Sequence, residues 1–182
     1  MPDTLYFAYG SNLNLEQMQE RCPQAQPAGP AILENYALLF RGRSNGYGLA
    51  TIEPQEGSRV YGLLWRLTPD NACALDQYEC YPRLYGKALV TVRTEIGETT
   101  AAAYAIDHEL FQTPAIPLPA YYGAILEGYR QNGLPVQYLD AALKHTRNEL
   151  RQDRLFHLSQ TPEPAAGSVK SNHRRKRQEY ER

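Results

Sequence analysis

The chain has 182 residues, of which 42% are hydrophobic and 21% are charged, and its formal net charge is −1. This length is enough for one hydrophobic core and argues against two full domains. The N-terminal segment MPDTLYFAYG lacks the basic and apolar regions of a secretory signal, and no apolar run is long enough to span a membrane. The composition therefore predicts a globular cytoplasmic protein.

The cysteines and histidines argue against a disulfide scaffold and a metal site. Cys22, Cys73 and Cys80 are odd in number. On a helix, Cys73 and Cys80 would lie two turns apart, roughly 10 Å, which is too far for a disulfide. The four histidines are scattered, with no pair at the spacing of metal ligands. We expect reduced thiols, as in the cytoplasm, and neither a metal nor a cofactor.

Charge is distributed unevenly between an acidic body and a basic C-terminal tail. From residue 167 onward there are six Lys or Arg and two Glu, so this segment carries +4 and the remainder −5. Residues 161–167 are rich in Pro and Ala, and no apolar periodicity follows them. The sequence predicts a folded domain over 1–160 and a disordered basic tail over 161–182. Contact of HRRKR (173–177) with RNA or a membrane is the less favoured interpretation.

The first elements along the chain are a strand, a polar turn and a helix. Residues 5–9 are aromatic and aliphatic, as in a buried strand, and Gly10, Ser11 and Asn12 interrupt them. A helical pattern over 15–20 follows at once. Such a connection directs unpaired backbone N–H groups at one point, which suits a carboxylate or a developing oxyanion. The alternative is a tight connection that binds nothing.

Further strands are predicted over 31–40, 47–52 and 60–67, the first two separated by RGRSNG. Thr68, Pro69 and Asp70 then mark a helix start, with an N-cap, a proline at the first helical position and an acid in the first turn. This helix must end near Cys80, because the residue before Pro82 disfavours helical backbone angles.

The second half of the chain predicts a hairpin followed by two helices. Residues 84–96 and 99–106 alternate as strands around a turn at Gly97 and Glu98. A proline-rich loop over 113–119 leads into a helix that Asn132 and Gly133 cap, and a last helix begins near Pro135. About six strands with flanking helices predict an α+β domain with a mostly antiparallel, barrel-like sheet.

One carboxylate falls on the apolar side of the helix that follows Thr68. Ala72, Leu75 and Glu79 lie at i, i+3 and i+7, whereas Asp70 and Asp76 fall on other faces and require no functional explanation. Partial burial and the negative end of the helix dipole both disfavour the ionised form of Glu79. Such a group can act first as a general base and then as an acid. The alternative is a glutamate at a frayed helix end that turns into solvent.

Tyrosine is used heavily, with 14 residues against 4 Phe and 1 Trp. A tyrosine side chain combines an apolar ring, which favours burial, with a hydroxyl that needs a hydrogen-bond partner. Tyr85, Tyr104 and Tyr121 fall at a strand start, within a strand and at a helix start, from which they can converge on a polar pocket. For any one of them, packing in the core with the hydroxyl at the rim is the alternative.

Four segments resemble the gamma-glutamylcyclotransferase family, and together they span roughly residues 5–143. YFAYGSNL (6–13) resembles the family's substrate-binding loop. GLATIEPQEGSRVYGLLWRL (48–67) is similar to its second and third core strands. LDQYE (75–79) resembles the segment that holds its catalytic glutamate, and YYGAILEGYRQNGLPVQYL (121–139) resembles its late pair of helices. The combination is far more specific than any single segment.

The resemblance implies a small γ-glutamyl substrate and a set of site residues. It implies that Glu79 is the general acid and base. It also implies that the turn and three tyrosines bind the substrate: Tyr9, Gly10, Ser11, Asn12, Leu13, Tyr85, Tyr104 and Tyr121. Many relatives follow the catalytic glutamate with Gly, whereas this chain has Cys80, and the departure bears on the local backbone more than on the chemistry.

The implied reaction is cyclisation of a γ-glutamyl amide to 5-oxoproline with release of an amine or amino acid. The turn is YGSNL and not the form of the glutathione-specific ChaC group, which favours a γ-glutamyl amino acid or γ-glutamylamine as substrate. A binding module of the same fold, for acidic small molecules or a partner, is one alternative. Hydrolysis of the same amide is another, but Ser11 has no evident histidine partner to make it a nucleophile.

Overall fold

The computed structural model describes residues 3–44 and 46–160, so the predicted tail over 161–182 lies outside the described residues. Within these ranges the strands are β1 (Thr4–Ala8), β2 (Gln26–Gly42), β3 (Leu49–Leu67), β4 (Tyr85–Thr94), β5 (Gly97–Ile106) and β6 (Thr113–Pro114). The helices are α1 (Leu15–Arg21), α2 (Pro69–Tyr78), α3 (Pro119–Gln131) and α4 (Val136–Gln160). Two short 3₁₀ turns are present as well, Ser11–Leu13 and Glu109–Phe111.

Five strands close into a barrel. Their order is β3-β1-β5-β4-β2, and β2 pairs back with β3, while β6 adds to the outer side of β2. The β1–β5 pair is parallel, and the other pairs are antiparallel. The predicted α+β class with a mostly antiparallel, barrel-like sheet is thus confirmed.

The prediction of two separate strands over 47–52 and 60–67 was wrong, because residues 49–52 and 60–67 belong to the single strand β3 and residues 47 and 48 precede it. Glu34 of β2 pairs with Arg59, whereas Tyr36 pairs with Pro54, so residues 55–58 form a bulge. Asn35 and Gly57 have positive φ there, and the Gly57 N–H donates to Asn35 Oδ1 at 3.0 Å. The bulge carries polar, exposed residues within the strand, which gives it the sequence signature of a loop.

The β4–β5 hairpin forms as predicted, but its turn lies two residues earlier. Thr94 pairs with Gly97, so Glu95 and Ile96 make the turn and Gly97 already belongs to β5. Gly97 has φ of 130°, a value that other residues rarely adopt. Gly97 therefore correctly indicated a turn, although it lies directly after the turn and not within it.

Helix α2 starts and ends at backbone features that its sequence specifies. Thr68 is the N-cap, and its hydroxyl accepts a hydrogen bond from the Asn71 N–H at 3.3 Å. The helix ends at Tyr78, so Glu79 is its C-cap rather than part of its last turn. Cys80 follows with φ of 54°, the left-handed conformation that ends many helices and usually belongs to glycine. A glycine at this position would adopt the same conformation without strain.

The two C-terminal helices pack on the barrel and on the polar turn. Asn132 is the C-cap of α3 and Gly133 has φ of 64°, as the predicted cap requires. The core that the helices share with the barrel includes fully buried Phe7, Ile125 and Leu139. No helix in the described ranges combines the length and apolar character needed to cross a lipid bilayer.

Candidate active site

The polar turn after β1 is held in place from two sides. The Trp65 indole N–H donates to the carbonyl of Asn12 at 3.0 Å, and Asn132 Nδ2 donates to the carbonyl of Leu13 at 2.9 Å. Gly128 of α3 lies so close that a Cβ there would stand 2.5 Å from Leu13 Cβ. The turn is thus fixed by the barrel on one side and by α3 on the other.

Two backbone N–H groups of the turn have no acceptor within it. The Leu13 N–H donates to the Gly10 carbonyl at 3.0 Å, and the Asn14 N–H donates to the Ser11 carbonyl at 3.1 Å. The N–H groups of Ser11 and Asn12 lie at the start of the helical turn, where no earlier carbonyl of the turn is placed to accept their hydrogen bonds. The Leu13 N–H is used inside the turn and the Leu13 side chain is fully buried, so a part for Leu13 in substrate binding stays a prediction of the resemblance.

Gly10 contributes open space to the site and not a left-handed backbone conformation. Its φ is −107° and its ψ is −140°. A Cβ at Gly10 would lie 3.4 Å from Ala50 Cβ and 3.7 Å from the Tyr121 hydroxyl. Since both neighbours line the site, the absence of a side chain at Gly10 keeps this space open.

Glu79 extends from the end of α2 into the same space. Its Oε1 accepts a hydrogen bond from Asn12 Nδ2 at 2.7 Å, and Asn12 Nδ2 also donates to the Tyr6 hydroxyl at 2.8 Å. Burial raises the pKa of Glu79 above its usual value, while the Asn12 hydrogen bond and the charge of Arg21 lower it. The net direction is upward, which favours a carboxylate that both accepts and returns a proton.

The three predicted tyrosines converge on this space, and Tyr9 joins them. Tyr85 donates its hydroxyl hydrogen to the Ala50 carbonyl at 3.0 Å, and the Tyr121 hydroxyl accepts from the Ala50 N–H at 3.2 Å. The Tyr9 hydroxyl donates to the backbone carbonyl of Tyr104. Burial raises the pKa of Tyr121 to about 12 and raises that of Tyr85 well above its usual value. These phenols therefore remain neutral donors and acceptors at neutral pH.

Asp76 was wrongly set aside as a residue that requires no explanation. It accepts a hydrogen bond from the Tyr104 hydroxyl and forms an ion pair with Lys87. The Tyr104 ring lines the site, but its hydroxyl is held by Asp76 rather than free in the pocket. Spacing along α2 correctly placed Asp76 off the apolar face. It gave no sign that β4 and β5 bring Lys87 and Tyr104 to the face on which Asp76 lies.

A small cavity of about 30 Å³ lies between these groups. It is lined by all the predicted binding residues except Leu13, together with Glu79 and two residues that the sequence analysis did not select, Tyr6 and Ala50. Tyr6 begins the segment YFAYGSNL that resembles the family's substrate-binding loop, but only Tyr9 to Leu13 of that segment were assigned to the substrate. Nothing in the sequence marks Ala50, which contributes backbone groups.

A larger cleft of about 510 Å³ lies between the β2–β3 hairpin and α4, lined by Arg59, Tyr138 and His145 among others. It lies away from the polar turn and from Glu79, so the candidate site is the smaller cavity, where an acid, phenols and two backbone N–H groups without an acceptor in the turn meet. No cluster of His, Cys, Asp or Glu suited to a metal ion occurs in the described part of the chain.

Comparison with known proteins identifies the family. The family described as "Gamma-glutamyl cyclotransferase, AIG2-like" matches residues 6–123, a range that contains the turn, Glu79 and the three tyrosines. Gamma-glutamylcyclotransferase from Homo sapiens is 36% identical over 143 residues, and that from Bos taurus is 34% identical over 142. Each alignment covers 74% of this chain and 74% of the relative.

Solved structures agree with the sequence comparison. A structure named gamma-glutamyl cyclotransferase superimposes with a TM-score of 0.67 at 32% identity, covering 77% of this chain and 86% of that one. YkqA from Bacillus subtilis has a TM-score of 0.66 at 21% identity and supports the fold alone. The chain therefore belongs to the gamma-glutamyl cyclotransferase, AIG2-like family of enzymes.

Proposed function

We propose that this protein cyclises a γ-glutamyl amide to 5-oxoproline and releases the amine or amino acid that the amide carried. The observation that carries the proposal is the position of Glu79, whose carboxylate lies in a buried pocket and bonds to Asn12 of the polar turn at 2.7 Å. Family membership and the phenols around this pair support the same reaction.

The chemistry needs no nucleophile from the protein. The substrate's α-amino nitrogen bonds to its own side-chain carbonyl carbon, and the bond from that carbon to the leaving nitrogen breaks. Because both reacting groups belong to one molecule, holding them in the folded conformation supplies much of the acceleration. The α-ammonium loses two protons as its nitrogen becomes the N–H of 5-oxoproline, and the leaving nitrogen gains two as it departs as an ammonium. Glu79 accepts and returns these protons one at a time.

The polar turn is suited to the negative charge that develops on the carbonyl oxygen. The N–H groups of Ser11 and Asn12 have no acceptor inside the turn, and the turn is fixed by Trp65 and α3. Donors that are oriented before the reaction stabilise an oxyanion without reorganising. We assign these two N–H groups to that role.

Substrate binding requires the pocket to open. The cavity of about 30 Å³ is smaller than a glutamyl group. Glu79 is the C-cap of α2, and its N–H donates to the Leu75 carbonyl at 2.9 Å, so its backbone is held at the helix end and only its side chain has to turn. We propose that Glu79 moves aside on binding and closes over the substrate, with the tyrosines as fixed walls.

Two observations disfavour the alternatives. For hydrolysis with a protein nucleophile, Ser11 would need a base, but its Oγ accepts a hydrogen bond from Arg21 Nη1 at 3.1 Å, and a guanidinium does not remove protons. For a binding module that takes acidic ligands, the buried carboxylate of Glu79 would repel the ligand. The sequence YGSNL continues to favour a γ-glutamyl amino acid or γ-glutamylamine over glutathione.

A substrate screen tests the proposal. The purified protein is incubated with γ-glutamyl dipeptides, γ-glutamylamines and glutathione, and 5-oxoproline and the free amine are quantified. We expect equimolar 5-oxoproline and amine from at least one of the first two groups. Release of glutamate would favour hydrolysis, and binding without turnover would favour the binding module.

A further inference from the structure

Arg21, in the last turn of α1, makes a set of contacts that the proposed mechanism does not use. Its Nη1 donates to Asn12 Oδ1 at 2.6 Å and to Ser11 Oγ at 3.1 Å, and its Nη2 donates to Gln17 Oε1 at 2.6 Å. The guanidinium also stacks on Tyr78, 3.9 Å from the ring centroid. These acceptors are neutral, and within the described ranges Arg21 forms no ion pair with a carboxylate.

The contact with Asn12 decides which end of that amide faces Glu79. A carboxamide can turn either its oxygen or its nitrogen towards a neighbour, but Arg21 offers donors only. Asn12 Oδ1 must therefore face Arg21, and Nδ2 is directed at Glu79 Oε1 and the Tyr6 hydroxyl. Arg21, Asn12 and Glu79 thus form a directed chain of hydrogen bonds in which each donor is fixed by the one before it.

Arg21 is also the charged side chain that acts on Glu79. Its charge lowers the pKa of that carboxyl group, against the effect of burial. The nearby pair of Asp76 and Lys87 is mutually neutralised. The other titratable groups that face Glu79 are phenols, which are uncharged at neutral pH: Tyr6, Tyr9, Tyr85, Tyr104 and Tyr121.

We propose that Arg21 is a positioning residue of the reaction, which orients the Asn12 amide and through it the Glu79 carboxylate for proton transfer. The inference rests on the proposed function, because it takes Glu79 as the base. Arg21 does not line the cavity, so its effect on the reaction is transmitted by Asn12.

The test compares Arg21→Met and Arg21→Lys with the matched control Arg130→Met. Arg130 is an exposed arginine in the last turn of α3, away from the pocket. We expect Arg21→Met to lower kcat by about 10- to 100-fold, the usual cost of removing a residue that orients a reacting group, with KM changed much less. The acidic limb of the kcat/KM profile should move to higher pH, because the carboxylate loses both its oriented donor and the nearby charge.

Arg21→Lys keeps the charge but lacks the planar fork that reaches Ser11 and Asn12 together. We expect its acidic limb to stay near that of the wild type while kcat falls. Added guanidinium should raise the rate of Arg21→Met, and Arg130→Met should match the wild type throughout. Melting temperatures of all variants identify any loss of rate that reflects unfolding, and Arg21→Lys tests the proposal if Arg21→Met does not fold.

Failure of this inference differs from failure of the proposed function. If the wild type makes 5-oxoproline and depends on Glu79, but a folded Arg21 variant keeps the wild-type kcat and pH profile, the positioning role is wrong. If the wild type makes no 5-oxoproline, or Glu79→Gln leaves its rate unchanged, both proposals fall together.

Discussion

Asn12 and Glu79 stand 67 positions apart in the chain, yet Asn12 Nδ2 lies 2.7 Å from Glu79 Oε1. The first residue belongs to the turn after β1 and the second to the end of α2. The hydrogen bond joins the part of the site suited to an oxyanion with the part suited to proton transfer. Each of these two parts of the site therefore depends on the other for its position.

Glu79→Gln should abolish most turnover while the protein stays folded. Glutamine keeps the shape of the side chain and an oxygen for Asn12, but it cannot accept the proton. We expect kcat to fall on the order of 10²-fold or more. Asp70→Asn, at an exposed acid of the same helix, is the control and should have no effect. A folded Glu79→Gln variant with near wild-type rate would remove Glu79 from the mechanism.

The same substitution should stabilise the protein at neutral pH. Burial raises the pKa of Glu79 in the folded state, so the folded protein binds this proton more tightly than the unfolded chain. The contribution of Glu79 to stability is thus complete below the unfolded pKa and is lost as the pH rises through the folded one. We expect Glu79→Gln to melt at a higher temperature than the wild type at about pH 7, with the difference shrinking towards about pH 4.

Thermal melts of the wild type and of Glu79→Gln across this pH range measure the effect. Equal melting temperatures at every pH would mean that Glu79 is solvated in the folded protein and that the pocket is more open than the structure has it.

Gly10→Val should damage activity more than Ser11→Ala. A Cβ at Gly10 already approaches Ala50 Cβ at 3.4 Å, so the branched valine side chain would fill space that the substrate needs. Ser11→Ala removes one acceptor of Arg21, which retains its bond to Asn12. Measuring kcat and KM for both variants decides the order. A larger loss for folded Ser11→Ala would give the hydroxyl the main role and reopen a nucleophilic mechanism.

Cys80→Gly should stabilise the protein by about 1 kcal/mol. Cys80 holds φ of 54°, a conformation that costs a residue with a Cβ roughly 1–2 kcal/mol, part of which is offset by the greater freedom of glycine in the unfolded chain. Cys73→Gly is the matched control. It lies inside α2, where glycine should destabilise by roughly 0.5–1 kcal/mol. Denaturant unfolding of both variants should therefore give changes of opposite sign, and two changes of the same sign would contradict this account.

The sequence predicted those parts of the molecule that depend on local chemistry. Thr68 and Pro69 specified the start of α2, and Asn132 and Gly133 the end of α3, because capping acts over a few residues. The family resemblance selected Glu79 and the tyrosines. The continuous strand β3 was missed because its bulge is polar, and a bulge differs from a loop only through its pairing with β2.

The remaining contacts depend on distant segments, which periodicity cannot relate. Asp76 meets Tyr104 and Lys87 only because β4 and β5 pass beside α2. Arg21 meets Asn12 because α1 turns back along the polar turn, and no local pattern distinguishes it from an ordinary basic residue at a helix end. The departure from glycine at Cys80 drew attention to the local backbone, but the left-handed conformation itself follows only from the fold.

The most direct test of the central claim is the fate of solvent oxygen. The protein is incubated with a γ-glutamyl dipeptide in water labelled with oxygen-18, and the products are identified by mass spectrometry beside those of Glu79→Gln. Cyclisation consumes no water, so the account predicts unlabelled 5-oxoproline and an equimolar amount of free amino acid, both lost in the variant. Glutamate carrying the label would show that water attacks the amide and would contradict the cyclisation mechanism.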